Sequence, residues 1–119
     1  MKKIVLTALL SSAATVVLLR ALPAGGGISQ TTKLDKPRVT VTEVTAQPAS
    51  SREPYVRPSD QVIVFLDDCT YDRVDPQTKQ RARAHRKSGD VIWHDKGEQA
   101  PELINAGSKP YRTLVIALK

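Results

Sequence analysis

The feature that most restricts this chain is its punctuation. From Pro37 onwards the β-prone runs are only three to eight residues long, and Pro, Gly or Asp interrupts each one before a helical repeat can build. Val39 and Val41 alternate with Thr40 and Thr42, the period-2 pattern of a half-buried strand. Gln61-Val62-Ile63-Val64-Phe65-Leu66 carries apolar residues on both faces and is expected to be the most buried strand. Asp67-Asp68 reads as a solvated turn into a strand at residues 70–74. In residues 80–87, Arg81, Arg83, His85 and Lys87 share one face while Ala82 and Ala84 share the other, which puts the charges in water and the alanines against a packed surface. Further strands are expected at residues 91–93, 102–105 and 111–118. Residues 47–59 hold Pro48, Pro54 and Pro58 and are expected to form a loop, because proline cannot donate to a sheet ladder. About seven short strands with no useful helical stretch predict an all-β fold, a small single-domain sandwich or β-barrel.

The first residues do not belong to that pattern. Lys2 and Lys3 precede sixteen residues, 4–19, without a charge, and Arg20 ends the run ahead of Ala21-Leu22-Pro23-Ala24 and three glycines. A basic start, an apolar core and a small-residue exit describe a secretory signal peptide, and the run is short for a membrane span. Residues 1–24 are therefore read as a signal peptide, with an uncleaved anchor as the alternative and the only expected membrane contact. Residues 25–36 read as a linker and residues 37–119 as the domain. The expected location is outside the cytoplasm, periplasmic or secreted.

Removing Lys2, Lys3 and Arg20 lowers the basic residues from 18 to 15 against 12 acidic ones, so the exported chain carries a net charge of +3. Its bases are not interleaved with aromatics, and nucleic acid is not an expected partner. Cys69 is the only cysteine, so no disulfide can form within the chain. It reads either as a small buried hydrophobe or as a link to a second copy.

A family likeness begins at Gly89. The run Gly89-Asp90-Val91-Ile92-Trp93-His94-Asp95-Lys96-Gly97, followed by Asn105 and then Tyr111-Arg112-Thr113-Leu114-Val115-Ile116, resembles the second motif of the cupin superfamily. Asp95 stands at the motif's proline and Gly97 keeps its turn glycine. The resemblance covers about residues 39–119 and implies a cupin-like barrel, a double-sheet jelly roll, of the small secreted single-domain kind. The first cupin motif survives in spacing only. Ala49 stands for its first glycine, Tyr55 and Arg57 for its two histidines, Gln61 for its glutamate and Asp68 for its last glycine; the second motif's histidine falls on Ala100 or Pro101. The four metal ligands that the resemblance implies are all replaced. Arginine offers no lone pair and its charge repels a cation, so neither a metal nor another cofactor is expected.

The residues carried to the barrel mouth suggest a different ligand. Arg57 presents a planar fork suited to carboxylate or phosphate, Gln61 a donor and an acceptor, and Tyr55 and Trp93 flat rings with one polar handle each. Tyr55, Arg57, Gln61 and Trp93 are the candidate binding residues for a small anionic molecule. Opposed readings stand beside them: Trp93 as a core filler, and Arg57 as part of an exposed proline loop. His94 and Tyr55 are the candidate catalytic residues of a metal-independent isomerase or lyase, with a structural histidine as the alternative. A structural module that pairs with itself into a homodimer is the third reading.

Overall fold

A strand that alternates apolar and polar side chains is stable only when one face is covered. Residues 27–119, which the computed structural model describes, meet that demand with two sheets whose inner faces share one interior. Eleven strands are present: β1 (Ile28–Lys36), β2 (Val39–Ala46), β3 (Ser51–Arg52), β4 (Tyr55–Val56), β5 (Asp60–Phe65), β6 (Cys69–Val74), β7 (Arg81–Arg86), β8 (Val91–His94), β9 (Gln99–Ala100), β10 (Glu102–Asn105) and β11 (Tyr111–Leu118). The larger sheet has the order β1-β2-β11-β5-β8, the smaller β3-β10-β6-β7, and β4 pairs with β9 alone. Every pairing is antiparallel.

The seven expected strands are all present, and four more join them. β3 and β4 lie inside the stretch expected to be a loop, as two-residue ladders that leave Pro48, Pro54 and Pro58 outside the pairing. The expected linker is largely a strand: β1 runs antiparallel to β2 from Ile28↔Ala46 to Lys36↔Val39, with one register shift between Thr32 and Leu34. Its side chains are almost all exposed, so no apolar period betrays it, and the ladder hydrogen bonds to β2 hold it in place. The proposed signal peptide lies outside the described residues.

Parity along β5 sets the character of the interior. Gln61, Ile63 and Phe65 point inward, while Val62 and Val64 face out and are half-buried. Gln61 and Phe65 are four residues apart, about 13 Å along the strand, and mark two ends of different chemistry. At the Phe65 end the ring stacks on Tyr71 at 6.2 Å, and Tyr71 on Tyr111 at 6.3 Å. These rings and Ala46 form the buried core, with Ile28, Ile63, Cys69, Ala84, Ile92 and Leu103 packed against it. The Gln61 end is polar.

Two motif positions have structural reasons. Asn105 is buried, and its amide donates to Ala46 O at 3.0 Å and Lys109 O at 2.9 Å while its side-chain oxygen accepts from Gly107 N at 2.9 Å. It ties the β10 end to β2 and to the following turn. Ala49, at the first motif's glycine position, has φ +65°, a backbone conformation that costs an L-residue roughly 1–2 kcal/mol. The glycine-like geometry is retained although the glycine is not.

Candidate functional site

The polar end of the interior opens into a cavity of about 580 Å³ lined by residues from both sheets. β4 and the segment after it deliver Tyr55 and Arg57. The turn after β8 fixes them from the other side: Arg57 N donates to Glu98 O at 3.0 Å and Gly97 N to Arg57 O at 2.8 Å. Gly97 has φ +86°, the left-handed conformation that glycine adopts without strain, so the turn glycine of the second motif is what lets this backbone close on Arg57.

Arg57 is not on an exposed loop. It is only 4% exposed, and one terminal nitrogen donates to Gln61 Oε1 at 2.9 Å and to the Tyr55 hydroxyl oxygen at 3.2 Å. Tyr55 Oη donates in turn towards Gln61 Oε1 at 3.4 Å. Gln61 is 5% exposed, and Tyr55 sits at the rim. Three residues that the first motif spaces as metal ligands thus meet in one hydrogen-bonded cluster. Ala100 lies opposite Tyr55 in the β4–β9 pair and is fully buried. This cluster does not fit a metal: a guanidinium fork occupies it, Ala100 has no donor, and Pro101 offers only a backbone carbonyl. Among the described residues no three His, Cys, Asp or Glu side chains are grouped as a metal site.

Trp93 is not part of this cluster. It alternates outward between inward-facing Ile92 and His94 on β8, is 51% exposed, and its Nε1 donates to Asp95 Oδ1 at 2.8 Å. Both readings from the sequence are corrected: it neither fills the core nor lines the cavity. His94, one residue on, does line it and stands beside Gln61 across the β5–β8 pair. His94 Nδ1 lies 2.9 Å from Glu98 Oε2. That hydrogen bond, followed by one from Asp95 N, holds the Glu98 carboxyl below the usual carboxylate range. An ionised Glu98 accepts, so the hydrogen bond is donated by Nδ1 and Nε2 is left free of it.

The cavity holds more positive charge than the motif positions alone announce. Arg52, Arg73 and Arg86 line it with Arg57, and Glu98 is the only carboxylate among the lining residues. None of the four arginines is in an ion pair among the described residues, whereas Arg81 and Arg83 share Asp72 and Arg112 grips Asp67 on the outer surface. Arg52 lies 5.2 Å from the Tyr55 ring centroid and Arg57 5.5 Å from it; an Arg52 terminal nitrogen donates to Pro101 O. Burial lowers the Arg52 guanidinium from its usual range, and the like charge of Arg57 adds to that. Arg86 donates to the Tyr71 hydroxyl at 3.3 Å and lies over Phe65. Parity was a signal for Arg86, which shares the inward face of β7 with Ala84. Arg52 had none, because its place depends on a two-residue ladder with β10.

No protein-family model matches the chain, and neither does any curated protein. Among solved structures, a cupin domain from Bordetella pertussis superposes with a TM-score of 0.69 at 20% identity, covering 78% of this chain and 94% of that one. A double-stranded β-helix protein from Klebsiella pneumoniae gives 0.59 at 21% identity over 81% of both chains. The polyketide cyclase RemF of Streptomyces resistomycificus gives 0.60 at 21% identity, covering 76% of this chain and 64% of RemF. At such identities the likeness is one of fold. Strand order, barrel interior and these neighbours agree: the chain adopts the cupin fold, a double-stranded β-helix.

Proposed function

We propose that this protein is an exported cupin-fold module that binds a small anionic molecule inside its barrel without a metal. The observation that carries the reading is Arg57: a guanidinium 4% exposed, outside every ion pair among the described residues, whose Nε has no hydrogen-bond partner. A buried unpaired charge is expensive to keep, and orphaned buried donors are rare in folded proteins. A carboxylate or phosphate entering the cavity satisfies both the charge and the donor. Thermal-shift titration with small carboxylates and sugar acids, on wild type and Arg57→Ala, tests it. The wild type is expected to gain stability and the variant not to. No shift in either protein, or equal shifts in both, overturns the proposal.

A second copy of the chain is the partner we propose for the outer face of the larger sheet, where Val91 and Trp93 are exposed on the edge strand β8 beside Val62 and Val64. A monomer in ultracentrifugation at all concentrations refutes that part alone.

One observation favours a second reading, that of a metal-independent isomerase or lyase. The His94–Glu98 pair faces the same cavity as Tyr55 and Arg57, which sets a carboxylate-oriented imidazole near the anion site and suits proton transfer. Full turnover by His94→Gln on a substrate found by screening would sink this reading.

A further inference from the structure

Among the described residues, three buried side-chain polar atoms lack a hydrogen-bond partner: Ser50 Oγ, Arg52 Nε and Arg57 Nε. All three belong to residues lining the one cavity. Such atoms are few in native proteins and each calls for an explanation; three hydrogen-bond donors gathered in one cavity point to an acceptor that the chain itself does not supply. Ser50 and Arg52 are two residues apart in an extended segment and so project to the same side. Their place is secured by backbone pairing, with Asn105 N donating to Ser50 O at 3.0 Å and Arg52 opposite Leu103.

The other two cavity arginines are differently placed. Arg86 already donates its Nε to Tyr71, and Arg73 is exposed. Arg52 and Arg57 alone combine an unpartnered Nε with a position against the same Tyr55 ring. Glu98 forms no ion pair with either, its oxygens being hydrogen-bonded to His94 and to Asp95 N, although its charge acts on Arg57 through space. A ligand with one anionic group leaves one of the two forks without an acceptor for its orphaned Nε, in an interior where opposite charges attract more strongly than in water.

We propose that the ligand is a small dianion, a dicarboxylate or a phosphate monoester, held by Arg57 and by a second receptor made of Arg52 and Ser50. This rests on the anion-binding reading above. The apolar inner walls, Ile63, Ile92 and Leu103, would cover the ligand's carbon body.

Calorimetric titration of the full chain at about pH 7, where both charges of a dicarboxylate are developed, tests the inference with butyrate, succinate and methyl phosphate. Succinate or methyl phosphate is expected to bind at least about tenfold more tightly than butyrate, the scale of one added charge-assisted hydrogen bond. Succinate alone gaining assigns two separate anionic groups; methyl phosphate alone gaining assigns one doubly charged group shared by both forks. Arg52→Gln is expected to erase the advantage, so that succinate and methyl phosphate bind that variant no more tightly than butyrate does. Equal affinities for all three compounds overturn the dianion and leave the anion site standing, whereas no binding by any of them overturns both. The charge series on unaltered protein decides the point even if Arg52→Gln fails to fold, and Ser50→Ala gives a milder second variant with a smaller expected loss.

Discussion

Replacing Arg57 by methionine in the ligand-free protein should make the fold more stable. Withdrawing a guanidinium from water costs several kcal/mol. Against that cost stand two hydrogen bonds, at 2.9 Å to Gln61 and 3.2 Å to Tyr55, each about 1.5–3 kcal/mol when one partner is charged. The Tyr55 ring adds about 0.5–2 kcal/mol. The orphaned Nε has no bond to offset its share of that desolvation cost. These contributions nearly cancel, so the arginine adds little to stability. Methionine fills similar space and buries apolar surface worth about 1.5–3 kcal/mol, while Tyr55 Oη and Gln61 Oε1 still have each other at 3.4 Å. Part of that gain is lost to imperfect packing, and a net stabilisation of about 1 kcal/mol is expected. For a domain of this size that is a rise of about 4–8 °C in Tm, read by circular dichroism and by urea titration. The same variant should lose every thermal shift produced by anions. A fall in stability of more than about 2 kcal/mol would show that the guanidinium is a structural pin, and the argument from an unpaired charge would fail.

Three further outcomes follow from the same structure. Ala49→Gly relieves a left-handed backbone at φ +65° and should stabilise by about 0.5–1 kcal/mol once the extra freedom of unfolded glycine is deducted; a lower urea midpoint refutes it. Hydrogen bonds from Arg112 hold Asp67 below the usual carboxylate range, those from Arg83 do so for Asp72, backbone bonds from Thr78 for Asp75, and the His94 bond for Glu98. The unfolded chain takes up protons near pH 4 while the folded one still resists them, so stability is full above that range and declines as pH falls through the lower folded values. The urea midpoint should therefore drop between about pH 4.5 and pH 2.5, and a constant midpoint contradicts the pairing. Burial pushes the Cys69 thiol up to about 11, so alkylation near pH 8 should be on the order of a hundredfold slower in the folded chain than in urea. Equal rates would mean an accessible thiol and revive the interchain link.

The sequence alone carried the fold a long way, because period-2 alternation is a local property. The seven strands with an apolar or charge-sorted face are all found, and the turn glycines Gly89 and Gly97 both adopt positive φ. β1 was missed because its nine residues expose nearly every side chain; it is held by a ladder to a partner, and ladder hydrogen bonds are blind to side-chain type. β3, β4 and β9 were missed because two residues are too few to show any period. At the site, Tyr55, Arg57 and Gln61, which the resemblance to the first motif singles out by spacing, are hydrogen-bonded to one another. Trp93 went wrong by one residue of parity: a one-position change of register reverses inside and outside, and the pairing of His94 with Gln61 decided it.

What the residues determined by themselves is an all-β chain, and the resemblance to the cupin motifs added that the positions where it implies histidine and glutamate ligands carry other residues, one of them with a fixed positive charge. Alternation and the chemistry of each side chain need no knowledge of distant neighbours. Only the tertiary structure decided that this charge is buried outside any ion pair among the described residues, and that Arg52 and Ser50 share its cavity. Both depend on which strands pair across the barrel and in what register, contacts between residues dozens of positions apart that no local pattern encodes.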